Sequence, residues 1–263
     1  NNEAATNVEL RAAKRGAELR QFSLSGRFGK ADLRGQLARR ADGQPRVVIE
    51  SADAGAFLRF IDLYRRMVGG KLSIDVGSND ARQDGQLVVK DFVLRNEPAL
   101  RQASAAQPAN DVGDTSRVTR ARETARGDVE FEKVRVDFVR GAGRIDIKDG
   151  VMWGPMLGVQ FEGIVDAPRD RVDVTGTYVP AYALNNAFAQ VPVVGLILGG
   201  GQYGGLFGVN FKVSGAFSQP TVAVNPLSAL TPGVFRRFLE FNKQSVEGRA
   251  AIPPRDLGAA RAQ

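Results

Sequence analysis

Apolar and polar residues alternate with a period of two along much of the chain, which is the pattern of β-strands with one apolar face. Glycine-containing breaks such as Asp149-Gly150 separate the segments. Short breaks favour hairpins, and hairpins give an antiparallel sheet. The sequence therefore predicts a mainly β fold of the β-rich α+β type, with a curved antiparallel sheet that forms an apolar groove and a few short covering helices. The alternating positions are Phe22, Leu24, Gly26, Phe28; Leu72, Ile74, Val76; Leu87, Val89; Val134, Val136, Phe138; Ile145, Ile147; Leu157, Val159, Phe161; Val172, Val174, Tyr178; and Phe207, Val209, Phe211, Val213.

The alternation changes phase once within a strand. After Val89 the apolar positions move to Phe92 and Leu94, with Asp91 at the change. A shift of one residue inside a strand is typical of a β-bulge. We therefore expect a local backbone irregularity at Asp91.

One helix is predicted over about residues 53–68. Phe57, Phe60, Ile61, Tyr64 and Val68 are spaced along one helical face. Ser51 and Asp53 can cap the start of this helix, and Gly69-Gly70 can stop it. We expect the helix to pack on the sheet and cover part of its apolar face.

The chain divides by composition into four parts. Residues 1–96 form a β-rich portion with the predicted helix, and residues 97–127, rich in Ala, Gln and Arg, form a linker with short helices. Residues 128–230 form a second β-rich portion, and residues 231–263 form a terminal amphipathic helix followed by a disordered tail.

The second β-rich portion contains a long uncharged segment, from Val174 to Phe211. One residue in four is charged in the chain as a whole, so this run is not an accident of composition. Pro180, Pro192 and several glycines exclude a single spanning helix. The segment either closes the core as an apolar hairpin and helix, or faces lipid.

The composition of the chain excludes most kinds of catalytic site. The chain has no His and no Cys, which excludes cysteine-based zinc sites, iron–sulfur clusters and His-dependent triads. Its carboxylates alternate with basic residues, and the sequence singles out no two of them as a catalytic acid–base pair. Gly199-Gly200-Gly201 lacks the Lys-Ser/Thr of a phosphate loop. We expect a protein that is not an enzyme and that has no cofactor and no metal.

The net charge of +7 favours an anionic partner. Nucleic acid is disfavoured because the strands do not interleave exposed aromatic and basic residues. No apolar stretch of membrane-spanning length occurs in the sequence, and its opening residues show no signal-peptide pattern. The opening of the chain suggests a C-terminal portion of a longer protein.

Several motifs together resemble a known family. The sequence contains Tyr178-Val179-Pro180-Ala181-Tyr182-Ala183-Leu184-Asn185, Val191-Pro192-Val193-Val194-Gly195, Gly204-Gly205-Leu206-Phe207-Gly208-Val209 and Val224-Asn225-Pro226-Leu227-Ser228-Ala229-Leu230-Thr231-Pro232-Gly233. This succession resembles the AsmA-like C-terminal region, in the branch related to YhdP. The segments Asp53-Ala54-Gly55-Ala56-Phe57-Leu58, Gly69-Gly70-Lys71-Leu72 and Asp91-Phe92-Val93-Leu94-Arg95-Asn96-Glu97-Pro98-Ala99-Leu100 also match. The resemblance spans roughly residues 45–240, and its motif residues are Pro180, Asn185, Pro192, Gly195, Asn225, Pro226 and Pro232.

The resemblance implies a protein of the periplasm, held in the inner membrane by a segment upstream of these residues. It implies a module of a bridge-like protein that carries phospholipid between the inner and outer membranes along an apolar β groove. The expected partners are phospholipids, a membrane surface and membrane or envelope proteins. The family supplies no catalytic residues.

Two sets of residues are candidates for contact with lipid. The groove candidates alternate on the predicted strands: Leu157, Val159, Phe161, Val172, Val174, Phe207, Val209, Phe211 and Val213. The membrane-proximal candidates are Val193, Leu196, Ile197, Phe235, Arg236, Arg237 and Phe238. The last four lie on the predicted terminal helix, which either rests on anionic headgroups or packs on the sheet edge.

Two alternatives remain. An apolar sheet face can also bind polypeptide, so the chain could be a non-enzymatic scaffold for the biogenesis of outer-membrane proteins. A transmembrane β-barrel is disfavoured, because the chain has one Trp and four Tyr, too few for the aromatic girdles of such barrels.

Overall fold

The computed structural model describes residues 3–16, 18–41, 43–78, 82–97, 101, 128–155, 157–180 and 207–229. Of 180, 207, 208 and 225–229 it describes the backbone alone. These residues form one twelve-stranded sheet in which spatial order equals sequence order. The strands are β1 Thr6–Arg15, β2 Glu18–Phe28, β3 Ala31–Arg39, β4 Pro45–Ser51, β5 Met67–Gly77, β6 Gln83–Leu94, β7 Val129–Gly141, β8 Arg144–Trp153, β9 Leu157–Asp166, β10 Arg171–Pro180, β11 Phe207–Ala216 and β12 Gln219–Ala229.

Every neighbouring pair of strands is antiparallel, so the sheet is an open, curved meander, and the predicted mainly β class is confirmed. Tight turns join several of the strands. Between β7 and β8, Ala142 and Gly143 have φ of 50° and 79°, the two positive values that a type I′ hairpin turn requires. The turn matches the right-handed twist of its strands and fixes their register.

The linker expected over 97–127 does not separate two sheets. β6 pairs with β7 along its length, from Gln83 opposite Arg140 to Leu94 opposite Val129. The two β-rich portions are therefore halves of a single sheet. Of the connection itself, 98–100 and 102–127 lie outside the described residues.

The predicted helix is shorter than the apolar pattern indicated. Helix α1 spans Ala54–Phe60, and Asp53 caps it by accepting a hydrogen bond from the Ala56 backbone N–H. The prediction that it extends to residue 68 is wrong. Asp62 has a φ of 56°, which ends the helix, and the strand β5 already begins at Met67. In the sequence the apolar residues keep a helical spacing as far as Val68. In the structure Met67 pairs with Leu94 on β6, so this part of the chain is a strand.

Irregular positions keep the apolar side chains on one face. Asp91, where the sequence changes phase, has a φ of 57°, and both Val89 and Phe92 are buried in the same cluster. On β12 two residues, Pro226 and Leu227, lie opposite Val209 alone. Proline has no N–H to donate, so it suits such a bulge.

Candidate functional site

One line of cross-strand partners crosses all twelve strands. It runs perpendicular to the strands, and each of its residues is the cross-strand partner of the next. Every residue in it is apolar or glycine. We call it the central row: Leu10, Leu24, Gly35, Ile49, Ile74, Leu87, Val136, Gly150, Phe161, Gly176, Phe211 and Val224.

A second line lies two residues further along each strand, on the same face. It begins on β3 and reaches β12, and it too consists only of apolar residues and glycine. We call it the outer row: Leu37, Val47, Val76, Gly85, Phe138, Ile147, Gly163, Val174, Val213 and Val222. The extra residue of β8, between Ile147 and Gly150, keeps both of those residues in the two rows.

A third line, on the other side of the central row, is buried. Its members include Leu33, Leu72, Val89, Val134, Val159, Tyr178 and Val209, none more than 6% exposed. Near β5 and β6 this burial involves α1, whose Ala54, Phe57 and Leu58 belong to the same cluster. Burial therefore varies across the apolar face, and it is greatest along this third line.

The central and outer rows remain partly open. From Leu24 to Val224 the side chains of the central row are half-buried, and those of the outer row are half-buried throughout. At a strand spacing of about 4.8 Å, twelve strands give a line of roughly 50 Å. The two rows thus form a long apolar strip without a charged side chain, which we call the apolar strip.

Three phenylalanines of the strip lie across glycines of the neighbouring strand. A Cβ on Gly85 would be 2.4 Å from the Phe138 ring, one on Gly150 2.4 Å from the Phe161 ring, and one on Gly176 2.4 Å from the Phe211 ring. Each pair is also a pair of cross-strand partners. Since the rings occupy the volume that a Cβ would fill, they lie along the sheet rather than standing upright from it.

The opposite face is polar and carries ion pairs. Arg46 is 2% exposed and donates to Asp75 at 2.5 Å and to Asp84 at 2.8 Å. Its hydrogen bond and charge lower the pKa of the Asp84 carboxyl, against a smaller opposing effect of burial. Further along, Arg135 contacts Asp149 at 2.8 Å and Lys212 contacts Asp173 at 3.1 Å. These ion pairs therefore lie on the face opposite the apolar strip.

The structure brings the described groove candidates to the apolar face. Phe161 and Phe211 are in the central row, and Val174 and Val213 are adjacent partners in the outer row. Leu157, Val159 and Val209 belong to the buried cluster, and Val172 is 6% exposed, so these four offer little free surface. The backbone of Phe207 pairs with Ala229, and its side chain lies outside the described residues.

The family-motif and membrane-proximal residues are described only in part. The backbones of Pro180 and Asn225 pair with Leu157 and Asn210. Pro226 lies in the bulge of β12. The others lie outside the described residues: Asn185, Pro192, Val193, Gly195, Leu196, Ile197, Pro232, Phe235, Arg236, Arg237 and Phe238.

Sequence reasoning missed the glycines of the strip. Gly85 and Gly176 were given no role. The prediction that Asp149-Gly150 separates two strand segments is wrong, because both residues lie within β8. The detectable signal was a glycine and a phenylalanine at similar distances on either side of a hairpin turn, as in Gly150 and Phe161.

The described part of the chain offers no obvious metal site and no spanning helix. None of its His, Cys, Asp or Glu side chains form a group of three suited to a metal ion. Helix α1, like every helix among the described residues, is not long and apolar enough to cross a membrane. Tyr64 has a pKa raised well above its ordinary value by burial and by the charge of Glu97, to which its hydroxyl donates. That pair joins the segment between α1 and β5 to the segment after β6.

Fold and surface define a class: a mainly β protein built on one open antiparallel sheet, with an uncharged apolar strip across its strands. Comparisons with protein-family profiles, with curated proteins and with solved structures give no match.

Proposed function

We propose that the apolar strip holds phospholipid acyl chains, and that this chain is a non-enzymatic module of a protein that carries phospholipid between two membranes. The observation that supports this most directly is the central row, which passes from β1 to β12 without a polar side chain. The proposed place is the periplasm between inner and outer membranes, and it depends on the resemblance to the AsmA-like region.

The energetics favour a continuous strip over an isolated pocket. Exposing a chain of roughly sixteen carbons to water costs on the order of 12 kcal/mol, at about 0.8 kcal/mol per CH₂. A surface that stays in contact with the chain at every stage removes much of this cost. Interruption by a charged residue would create a barrier, and the two rows contain none.

The dimensions suit a path rather than a single binding site. One leaflet of a bilayer is about 15 Å thick, half of the roughly 30 Å hydrocarbon core. The strip is about three times as long, at roughly 50 Å. An acyl chain lying along it therefore covers only part of the strip and has similar apolar surface ahead of it and behind it.

The composition of the strip also favours movement. Transport requires that no single position hold its cargo too tightly, as in the conduction of ions through channels. Aliphatic side chains and flat phenyl rings give similar contacts at each strand. The three glycines keep the rings of Phe138, Phe161 and Phe211 low on the sheet.

Site-specific photocrosslinking tests this proposal, with adjacent residues as matched controls. A photoreactive side chain replaces Phe211 or Val213 on the apolar face, and Lys212 or Ser214 on the polar face of the same strand. We expect phospholipid adducts at the first two positions and none at the second two. Equal capture at both faces, or capture at Lys212 and Ser214 alone, would contradict the proposal.

The same experiment separates lipid from polypeptide. A scaffold for outer-membrane proteins would give protein adducts at Phe211 and Val213 instead of lipid adducts. Mass spectrometry of the crosslinked species distinguishes the two, and protein adducts without lipid would replace this proposal with the scaffold function.

A further inference from the structure

Three lysines stand side by side on the polar face of the sheet. Lys71 on β5 is the cross-strand partner of Lys90 on β6, which is the partner of Lys133 on β7. Each directly precedes or follows a buried apolar residue, namely Leu72, Val89 and Val134. Because successive side chains of a strand point to opposite faces, the lysines lie on the face opposite the apolar strip.

This arrangement is electrostatically unfavourable for the protein alone. Like charges directly opposite each other on neighbouring strands destabilise a sheet. The pKa of Lys133 is lowered, first by burial of its side chain and then by the charges of Lys90 and Arg135. The fold therefore holds three cations together at a cost in stability.

Several other cations of this face lie beside carboxylates. Arg135 contacts Asp149 and Lys212 contacts Asp173, while Arg46 is held between two aspartates. Lys71 and Lys90, in contrast, form no ion pair with any residue in the described ranges.

A cavity of about 370 Å³ adjoins the row. It lies where β4 ends. Ser51, the last residue of β4, pairs with Leu72, and β5 extends past this pair to Met67. Its lining includes Lys71, Lys90, Arg34, Ser73 and the two carboxylates Glu50 and Asp32. Asp32 already interacts with Arg34 at 3.1 Å and with Arg27 at 3.3 Å.

We propose that the lysine row of Lys71, Lys90 and Lys133, with the adjoining cavity, binds a phosphorylated ligand that carries at least two negative charges. Each ammonium group donates up to three charge-assisted hydrogen bonds to phosphate oxygens. The Cα atoms of Lys71 and Lys133 are two strand spacings apart, roughly 10 Å, and flexible stems let the three groups converge. Two adjacent phosphoryl groups fit this spacing. The site is on the other face from the apolar strip and does not depend on lipid transport.

Titration calorimetry with inorganic pyrophosphate on the full chain tests the site. The variant Lys90→Met removes the central charge and, because it relieves repulsion, should keep or raise the melting temperature. We expect its affinity for pyrophosphate to fall by at least about tenfold, the effect of losing a hydrogen bond between charged groups. Lys71→Met should act in the same direction.

The control is Lys14→Met, an exposed lysine on β1. It makes the same change in net charge and should leave pyrophosphate affinity unchanged. Absence of pyrophosphate binding to the unaltered chain would overturn the proposal. An equal loss of affinity in Lys14→Met and Lys90→Met would overturn it too, since only net charge would then matter.

Vesicle binding distinguishes the two sources of phosphate. The full chain is sedimented with vesicles of phosphatidylcholine alone and of phosphatidylcholine with phosphatidylglycerol at about three to one. Binding to the anionic vesicles that Lys90→Met weakens assigns the site to lipid headgroups. Pyrophosphate binding that Lys90→Met weakens, with vesicle binding unchanged, assigns it to a soluble phosphorylated compound.

Discussion

The phenyl ring of Phe161 on β9 occupies the space that any side chain at Gly150 on β8 would need. A Cβ on Gly150 would be 2.4 Å from Cε2 of the ring, and its three nearest neighbours would all be atoms of that ring. The two residues are cross-strand partners in the central row. Glycine at this position thus determines how Phe161 lies on the sheet.

Replacing Gly150 by Ala should therefore lower the free energy of unfolding by about 1–3 kcal/mol, the usual cost of overpacking. The double variant Gly150→Ala with Phe161→Leu should lose less than the sum of its two single variants, since the clash is with the ring. Urea denaturation of the four proteins measures the coupling.

Gly77→Ala is the control for this substitution, because the nearest atom to a Cβ at Gly77 is 3.5 Å away. We expect it to change stability by less than about 0.5 kcal/mol. Equal losses for Gly77→Ala and Gly150→Ala would contradict the assigned role of the ring.

A charge within the outer row should interrupt the proposed lipid path. Val213→Asp puts an unpaired carboxylate among half-buried apolar side chains, at a stability cost of about 1 kcal/mol. We expect the variant to lose co-purifying phospholipid and lipid transfer between vesicles. Ser214→Asp, one residue along on the polar face, should retain both. Normal transfer by a folded Val213→Asp protein would contradict the proposed path.

The Arg46 cluster should make stability depend on pH in the acid range. The pKa of Asp84 is lowered from its ordinary value of 3.8, chiefly by its hydrogen bond to Arg46. Stabilisation by a carboxylate with a lowered pKa is complete above the ordinary value and disappears as pH falls through the lowered one.

Asp84→Asn should therefore be less stable than the parent protein at about pH 7, and the difference should shrink towards zero at about pH 2. Because Asp84 is largely exposed, we expect a difference of no more than about 1 kcal/mol. Glu162→Gln, which alters an exposed carboxylate on β9, is the control, and guanidinium denaturation across pH is the measurement. A difference that grows in acid would contradict this account of Asp84.

The left-handed backbone at Asp91 predicts opposite responses to two substitutions. Asp91→Gly should leave stability unchanged or raise it, because glycine adopts a φ of 57° without strain. Asp91→Val should lower it by about 1–2 kcal/mol, since a β-branched residue is disfavoured there. Thermal unfolding of both variants measures this.

Glu132→Val is the matched control for Asp91→Val. Glu132 is an exposed position of β7, between the partners of Lys90 and Phe92. It should tolerate valine, which favours strands. An equal loss at both positions would show that the φ of Asp91 is not the cause.

Much of the sheet could be predicted from the sequence, because side-chain direction in a strand is a local property. The alternation at Phe161, Val174 and Phe211 was enough to place those residues on one face. The phase change at Asp91 was equally visible, and the backbone there is irregular. The end of α1 could not be predicted, because the helical spacing of apolar residues continues past Phe60. Pairing of β5 with β6 is what ends the helical segment.

The sequence by itself determined that this protein is a mainly β chain with apolar and polar residues sorted to opposite faces, since alternation needs no partner. Only the tertiary structure decided which residues lie opposite one another: Gly150 against Phe161, Lys90 against Lys71 and Lys133, and β6 against β7 across a long connection. Register depends on turns, bulges and pairing between distant segments, and a change of one residue would replace every one of these partners.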